Sequence, residues 1–197
     1  GPHPVIPLVP ADEEILYFID RERDFHLHVS LLSEKTNYAV ETVADAAALA
    51  VFAERVRFPS HALVLRPEAL PAGPPLVKGL DAPADLAAAF ETVHRAAPDG
   101  RVRVETDMRA HVNPSRMAVI AELGAVLAAR LASHCPACDL PGWGRVRVER
   151  GLPCADCGAP TRRVRAEVEG CVRWAHEVAR PRADGLAAAD PGDCDYC

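Results

Sequence analysis

Cysteine is missing from the first 134 residues of this 197-residue chain, and all seven cysteines follow in the last third. Aromatic residues are also scarce, at 5%, although apolar residues of all kinds make up 49%. Alanine and leucine must therefore fill most of the core, which favours helices. A net charge of −6 argues against non-specific nucleic-acid binding by the surface as a whole.

No run comes close to the roughly 18 apolar residues that a membrane-spanning helix needs, and no signal-peptide pattern is found. Unpaired thiols persist best in a reducing compartment. These absences predict a cytoplasmic protein without a membrane partner. The chain starts Gly1-Pro2-His3 without an initiator methionine, and we expect a further segment upstream of it.

The cysteines lie in Cys-x-x-Cys pairs with one left over. The pairs are Cys135/Cys138, Cys154/Cys157 and Cys194/Cys197, and the single cysteine is Cys171. Fifteen residues, 139–153, separate the first two pairs, a spacing typical of zinc sites in which each pair supplies two thiolates. Disulfides or a redox Cys-x-x-Cys are the alternatives, but three such pairs exceed what one redox motif needs.

Counting strands predicts how the cysteines group. The segment from Arg145 to Arg150 has no turn signal, so one strand connects the first two pairs. A strand of about six residues spans roughly 20 Å, which places the two pairs at opposite ends of an antiparallel module. The sequence therefore predicts one complete site, formed by Cys154, Cys157, Cys194 and Cys197.

The remaining cysteines, Cys135, Cys138 and Cys171, make a site with three thiolates. Trp174 stands where a fourth cysteine is expected, and an indole cannot bind a metal. His176 or His134 are the candidates to supply a nitrogen ligand, and an empty site is the other possibility. We expect structural zinc in the tail; an open three-ligand zinc with a catalytic role is the alternative.

The order of elements predicts an α/β fold, with α+β as the alternative. We expect a mixed sheet with about three helices over residues 1–133, including parallel crossovers across the first two helices. A small antiparallel module resembling a zinc ribbon follows over 134–197. A hairpin is predicted from strands at 15–20 and 25–31, with Phe25 and Leu27 on one face and His26 and His28 on the other.

Three helices are predicted from their boundary residues. Thr42 is expected to cap a helix over 43–57, Pro83 to open one that reaches Ala97, and Asn113-Pro114 to open one that reaches Ser133. The stretch from Ser33 to Glu41 is expected to be a loop.

The segment from Thr106 to Arg116 is the other candidate site, because it leads from a strand end into a helix N-terminus. Arg109 and Arg116 are candidates to clamp a phosphate or carboxylate, with Asn113 beside them. Asp107 and His111 are the candidate catalytic acid or base. In the alternative interpretation Asn113 caps the helix, Asp107 pairs with Arg109, and the rest is a solvated loop.

Two further residues are weaker candidates for ligand binding. Lys78, in a short apolar strand, could approach an anion or extend into solvent. His3 lies in a proline-rich stretch and is expected at the surface.

In the tail, alternating arginines such as Arg145 and Arg147 suggest a basic stripe for nucleic acid. The tail holds nine arginines and ten acidic residues, so a salt-bridged face is the better interpretation.

Three features together resemble an uncharacterised bacterial family known as a domain of unknown function. They are the Gly-Pro-His-Pro opening, the Thr-Asp-Met-Arg-Ala-His-Val-Asn-Pro-Ser-Arg-Met segment at 106–117, and the tail that closes on Cys-Asp-Tyr-Cys. The resemblance covers the whole chain and implies a further N-terminal segment. It also implies a Cys-x-x-Cys pair where this chain has Cys171 and Trp174, and it brings no established activity.

Two classes of function remain open from the sequence. The first is a protein, enzymatic or not, that binds a nucleotide-like or other anionic small ligand at residues 106–116, with zinc purely structural. The second is a non-catalytic module whose zinc tail binds nucleic acid or protein.

Overall fold

The computed structural model describes residues 10–69 and 75–197. They form two compact units: the described residues up to Ile15 together with Ser30–Leu123, and Leu16–Val29 together with Gly124–Cys197. Each unit is discontinuous in sequence, and the predicted division into 1–133 and 134–197 stays a prediction. Within these described ranges no helix has both the length and the apolarity to cross a membrane.

The strands are β1 (Asp12–Asp20), β2 (Phe25–Ser33), β3 (Val40–Val43), β4 (Leu63–Pro67), β5 (Val77–Leu80), β6 (Val102–Thr106), β7 (Gly144–Arg150), β8 (Val164–Gly170) and β9 (Glu177–Pro181). The helices are α1 (Ala46–Arg55), α2 (Pro83–Ala96) and α3 (Pro114–Ala132). The prediction of an α/β fold with about three helices is confirmed.

The predicted hairpin is present as the two-stranded sheet β1–β2. Its turn is held by the Asp20 carboxylate, whose Oδ1 accepts hydrogen bonds from the amides of Glu22 and Arg23 at 3.0 and 2.9 Å. Phe25 and Leu27 are buried, whereas the histidines between and after them, His26 and His28, are exposed. The alternation in the sequence therefore identifies the two faces of β2.

A four-stranded sheet in the order β3-β6-β4-β5 forms the centre of the first unit. Every neighbouring pair is antiparallel, so the expectation of a mixed sheet with parallel neighbours is wrong. The predicted crossovers do join strands of the same direction: α1 connects β3 to β4, and α2 connects β5 to β6. The strands of each connected pair are not neighbours, however, because β6 lies between β3 and β4, and β4 lies between β5 and β6. Therefore no parallel pair forms in this sheet.

One face of this sheet carries the core. Leu65 and Val104 are directly paired and therefore project to the same face, and both are 0% exposed. Phe52 of α1 and Val93 of α2 belong to the same buried cluster. Burying each such side chain is worth about 1.5–3 kcal/mol, so the apolar pattern of these strands and helices fixes which face is covered.

The tail forms a second, antiparallel sheet in the order β7-β8-β9. This is the meander predicted from the absence of turn signals within 145–150. Its central strand buries Ala166 and Val168, and Trp143 just before β7 is also buried. The Trp143 indole Nε1 donates to a carboxylate oxygen of Glu169 at 3.1 Å, which satisfies its one polar group.

The boundaries of α2 and α3 agree with prediction to within one residue, whereas the start of α1 does not. Val40–Val43 is a strand rather than loop and helix, so Thr42 is not a cap. The cap is Asp45, whose Oδ1 accepts from the Ala48 amide at 2.8 Å. Both residue types are common caps, and β3 forms because its backbone pairs with β6.

The Asp45→Ala variant is expected to lower the free energy of unfolding by about 1 kcal/mol, because the Ala48 amide loses its acceptor. Asp45→Asn, which keeps a side-chain oxygen, is the control and should stay close to wild type. Urea unfolding of the three proteins measures the difference. Equal stability of all three would show that α1 does not depend on this cap.

Candidate functional site

Four cysteine sulfurs converge at one end of the tail module. The Sγ atoms of Cys154, Cys157, Cys194 and Cys197 all lie within 4.8 Å of one another. Cys154 and Cys197 are 3.5 Å apart and Cys157 and Cys194 are 3.7 Å apart. A disulfide would require about 2.05 Å. A tetrahedral metal with bonds of about 2.3 Å places its sulfurs about 3.8 Å apart, so these residues fit a metal ion.

The other three cysteines form a second cluster, as strand counting predicts. Cys135, Cys138 and Cys171 bring their sulfurs within 4.8 Å of one another, and Cys138 and Cys171 are 3.7 Å apart. The interleaved grouping of the seven cysteines is thereby confirmed. Both clusters could hold a metal ion.

The pairs Cys135/Cys138 and Cys154/Cys157 form the same type of backbone turn. In the first, the Cys135 amide donates to the Leu140 carbonyl at 2.9 Å and the Asp139 amide to the Cys135 carbonyl at 2.8 Å. In the second, the Cys154 amide donates to the Ala159 carbonyl at 2.8 Å and the Gly158 amide to the Cys154 carbonyl at 3.0 Å. Each turn ends on a residue of positive φ, Asp139 at 57° and Gly158 at 71°. The backbone hydrogen bonds of each Cys-x-x-Cys turn thus position its two sulfurs.

The second of these turns also directs amides at its first sulfur, that of Cys154. The backbone N–H groups of Cys157 and Asp156 lower the pKa of the Cys154 thiol to about 7. Hydrogen bonds to the charged form favour that form, and the thiolate is the form that binds metals.

The expected nitrogen ligands do not join the three-cysteine cluster. The ring of His176 lies against Trp143, with ring centroids 5.4 Å apart. His134 Nδ1 instead lies 3.0 Å from a carboxylate oxygen of Asp139. In the described part of the chain, no histidine, aspartate or glutamate adds a donor atom to the three sulfurs.

In the second candidate site, Asp107 is buried and fully paired. Arg109 donates to its carboxylate through Nε at 2.9 Å and Nη2 at 2.6 Å, and the Gly79 amide donates at 3.0 Å. Burial alone would raise the pKa of Asp107, but Arg109 and Gly79 outweigh it and lower that pKa. Asp107 is therefore an ionised acceptor whose oxygens are already in use.

Gly79 is required at this contact. Its φ is 71°, and a Cβ there would lie 3.0 Å from Arg109 Nη2. A side chain at position 79 would therefore strain the backbone and displace the guanidinium that neutralises Asp107.

Asn113 and Arg116 also serve the structure. Asn113 is 1% exposed; its Oδ1 accepts from the Arg116 amide at 3.1 Å, which caps α3, and its Nδ2 donates to Asn37 Oδ1 at 2.9 Å. The Arg116 guanidinium pairs with the buried Glu14 carboxylate and donates to the Met108 carbonyl. That carboxylate raises the pKa of Arg116, so the predicted clamp of Arg109 and Arg116 consists of two arginines that each already neutralise an acid.

The last two predicted residues of this group are separate from it. His111 is exposed in a short turn of 3₁₀ helix, Ala110–Val112, and its ring bonds to none of the described residues. His3 lies outside the described residues.

A cavity of about 370 Å³ lies beside the Asp107–Arg109 pair. It opens on the sheet face opposite the core, since Val64 and Arg66 alternate with the core residues of β4. Its polar lining comprises Tyr38, Arg66, Lys78, Glu105, Thr106, Asp107 and Arg109, and its apolar lining is Val64, Leu76 and Met108. The predicted residues Lys78, Asp107 and Arg109 thus meet, although 28 positions separate Gly79 from Asp107.

The charges around this cavity do not cancel. Arg109 pairs with Asp107 at 2.6 Å and Arg66 approaches Glu105 at 3.9 Å. Lys78 is exposed and has no carboxylate partner among the described residues, which leaves one positive charge in excess. The sequence analysis did not identify Tyr38, Arg66 and Glu105 as residues of this site. For Arg66 and Glu105 the available signal is the alternation of polar and apolar residues along β4 and β6, which places both on the face opposite the core.

His61 is a further residue that the sequence did not single out. It is 4% exposed, and its Nε2 accepts from the Ser115 amide at 3.2 Å and lies 2.9 Å from Ser115 Oγ. A backbone amide can only donate, so Nε2 carries no proton and the proton lies on Nδ1, which is 2.9 Å from Ser60 Oγ.

A serine beside a histidine is also the arrangement of a nucleophile and its base. Here the Nε2 lone pair already accepts an amide from the first turn of α3. Burial and the charge of Arg57 lower the pKa of His61, which weakens it as a base. The neutral imidazole is therefore an additional cap of α3.

These features define the class of protein: an α/β protein that, in its described residues, has three helices and several antiparallel sheets and carries two cysteine clusters able to hold metal. The chain belongs to the family described as Domain of unknown function (DUF6671), whose model matches residues 1–197. No curated protein and no solved structure matches the chain.

The cap by His61 predicts sensitivity to acid. In the unfolded chain His61 has a pKa near 6.5, and in the folded chain this pKa is lowered, so the contribution is fully present above pH 6.5. It is lost as pH falls through the folded pKa, at up to about 1.4 kcal/mol per unit of separation between the two pKa values.

Urea unfolding at pH 7.5 and pH 5.5 tests this dependence. The His61→Gln variant is expected to lose less stability between the two pH values than wild type, because it has no titrating ring. His111→Gln, at an exposed histidine, is the control and should follow wild type. An unchanged pH dependence in His61→Gln would contradict the assignment.

Proposed function

We propose that this protein binds a small anionic, nucleotide-like ligand in the cavity beside Lys78 and that zinc in the tail is structural. The observation that carries the proposal is the uncompensated ammonium of Lys78 next to two arginine–carboxylate pairs. Both parts are supported by the chemistry of the residues that meet at each site.

Zinc is the metal that suits the tail best. Soft thiolate ligands in a tetrahedral set of four favour zinc over hard cations such as magnesium or calcium. The cluster of Cys154, Cys157, Cys194 and Cys197 supplies all four ligands from the chain and leaves no open position, which is the pattern of a structural site.

The cavity combines charge with an apolar surface. A volume of about 370 Å³ falls within the range of about 300–1,000 Å³ for small-molecule sites. Lys78 offers three N–H donors to a phosphate or carboxylate, while Tyr38, Leu76 and Met108 offer surface for a flat ring. A ligand with an anionic group attached to a ring system fits both.

A larger groove of about 630 Å³ lies between α1 and α2. Its lining is mostly alanine, leucine, proline and phenylalanine, with Glu54 and Glu91 as its charged members. It offers no cation to an anion, and we therefore do not place the ligand there.

The proposal is of binding and not of acid–base catalysis. The Asp107 carboxylate accepts hydrogen bonds from Arg109 and Gly79, and a general base needs an oxygen free to take a proton. His111 is not among the residues that line the cavity.

Nucleic acid is not included in the proposal, because acidic side chains compensate most tail arginines. Seven of the nine have a carboxylate within ion-pair distance: Arg145, Arg147, Arg162, Arg163, Arg165, Arg180 and Arg182. A continuous basic stripe for phosphates is therefore missing.

Zinc content tests the first part. Protein purified under reducing conditions is expected to contain zinc, and Cys157→Ser is expected to lose one equivalent per chain because a closed four-thiolate site loses a ligand. Ala155→Ser, an exposed position within the same turn, is the control and should keep the wild-type content. Wild-type protein without zinc, by elemental analysis, would contradict this part.

Substitution of each of the two lysines of the chain, Lys35 and Lys78, tests the ligand cavity. Lys78→Ala is expected to weaken binding of ATP or pyrophosphate at least tenfold, equal to about 1.4 kcal/mol, because the unpaired ammonium is lost. Lys35→Ala is the control, since Lys35 pairs with Glu122 at 2.7 Å away from the cavity.

Isothermal titration of both variants at low ionic strength makes the comparison. If wild type and Lys78→Ala bound these probes equally, the site would lie elsewhere. If wild type bound neither probe, the proposal of an anionic, nucleotide-like ligand would fail.

A further inference from the structure

We propose that the cluster of Cys135, Cys138 and Cys171 is a metal site with one position open to a ligand from outside the chain, and that this ligand is a small thiolate. The inference rests on metal binding by the tail, as proposed above. It adds a second kind of metal site, in which one ligand of the metal can exchange with solvent, whereas all four ligands of the first site come from the chain.

The backbone around Cys171 keeps the turn of a metal-binding pair although its second cysteine is replaced. The Cys171 amide donates to the His176 carbonyl, five residues on, at 3.0 Å. Cys135 and Cys154 make the same five-residue bond, to Leu140 and Ala159. Trp174 therefore occupies the place that Cys138 and Cys157 hold in the other two turns.

Amides in this turn also point at the sulfur as they do in the closed site. The backbone N–H groups of Arg173 and Trp174 donate hydrogen bonds to the Cys171 sulfur. These are the third and fourth residues of the turn, as Asp156 and Cys157 are for Cys154. The turn is thus arranged for a metal-bound thiolate even though the chain supplies only three.

No other side chain in the described ranges fills the fourth place. An indole has only an N–H donor and no free lone pair for a metal. His176 stacks on Trp143, and His134 faces Asp139. The set of donors thus remains three sulfurs, whereas tetrahedral zinc requires four ligands.

The missing corner faces solvent. Trp174 is 59% exposed, and Cys138 is exposed as well. A small molecule can therefore reach the position without any movement of the core.

Charge and softness select the class of ligand. The Arg173 guanidinium lies 5.4 Å from the centroid of the Trp174 ring and donates to the Arg23 carbonyl at 3.3 Å. It has no carboxylate partner among the described residues, so an uncompensated positive charge next to Trp174 favours an anion. Three thiolates already hold the metal, and a metal that prefers sulfur takes a fourth sulfur donor. A thiol binds there by losing its proton to solvent, with no change of oxidation state.

Cobalt(II) absorption tests the proposal, because cobalt replaces zinc in thiolate sites and its visible spectrum reports the ligand set. Metal-free protein titrated with cobalt under anaerobic conditions is expected to take up two equivalents. Addition of 2-mercaptoethanol is then expected to change the spectrum of one equivalent and to saturate at one thiol per chain.

Substitutions at position 174 provide the matched comparison. Trp174→Cys should bind two equivalents with no response to the thiol, because the chain now supplies the fourth sulfur. Trp174→Phe should respond as wild type does, since it removes the indole without adding a ligand. Cys171→Ser should bind one equivalent that does not respond.

The possible results separate this inference from the proposed function. Uptake of one equivalent, or of two with no response to the thiol, overturns the open site while the four-cysteine site stands. Uptake of none overturns both. A thiol response that persists in Trp174→Cys also overturns the proposal, because the position would then lie elsewhere.

Discussion

Mutual repulsion of thiolates is the constraint on which the tail module depends. Four sulfurs lie within 4.8 Å of one another at one cluster and three at the other, and a cation must offset their charge when they are ionised. The large apolar side chains buried in this stretch are few, namely Trp143, Leu152 and Val168. In the proposed function, metal–thiolate bonds take the place that the Phe, Leu and Val core takes around the four-stranded sheet.

The segment at 106–117 has a different role from the one its composition suggests. Arg109 and Arg116 are the partners of two buried carboxylates, Asp107 and Glu14, and removing either arginine would leave a buried carboxylate without its ion-pair partner. A dense group of polar residues in a sequence is therefore equally consistent with a satisfied internal network. Among the cations that line the cavity, Lys78 is the one without a carboxylate partner in the described part of the chain.

Features that carry a signal in the sequence were predictable, and most other long-range contacts were not. Pro83 and Asn113-Pro114 set the starts of α2 and α3, because the start of a helix depends on neighbouring residues. The grouping of the cysteines joins residues up to 43 positions apart, and it was predictable because their spacing and one strand count limit which pairs can meet. The Glu14–Arg116 pair joins residues 102 positions apart and His61 meets Ser115 over 54, so no local pattern reveals them. The strand β3 was missed for the same reason: it exists through its pairing with β6.

The interleaving of the two clusters has a thermodynamic consequence. One cluster joins residues 33 positions apart, Cys138 and Cys171, and the other joins Cys154 and Cys197 across 43 positions. The two loops overlap between 154 and 171, and both enclose β8. If both clusters bind metal as proposed, the first ion to bind shortens the free chain that the second must close, because the entropy of closing a loop rises with its length. Metal uptake by this tail is then expected to be positively cooperative.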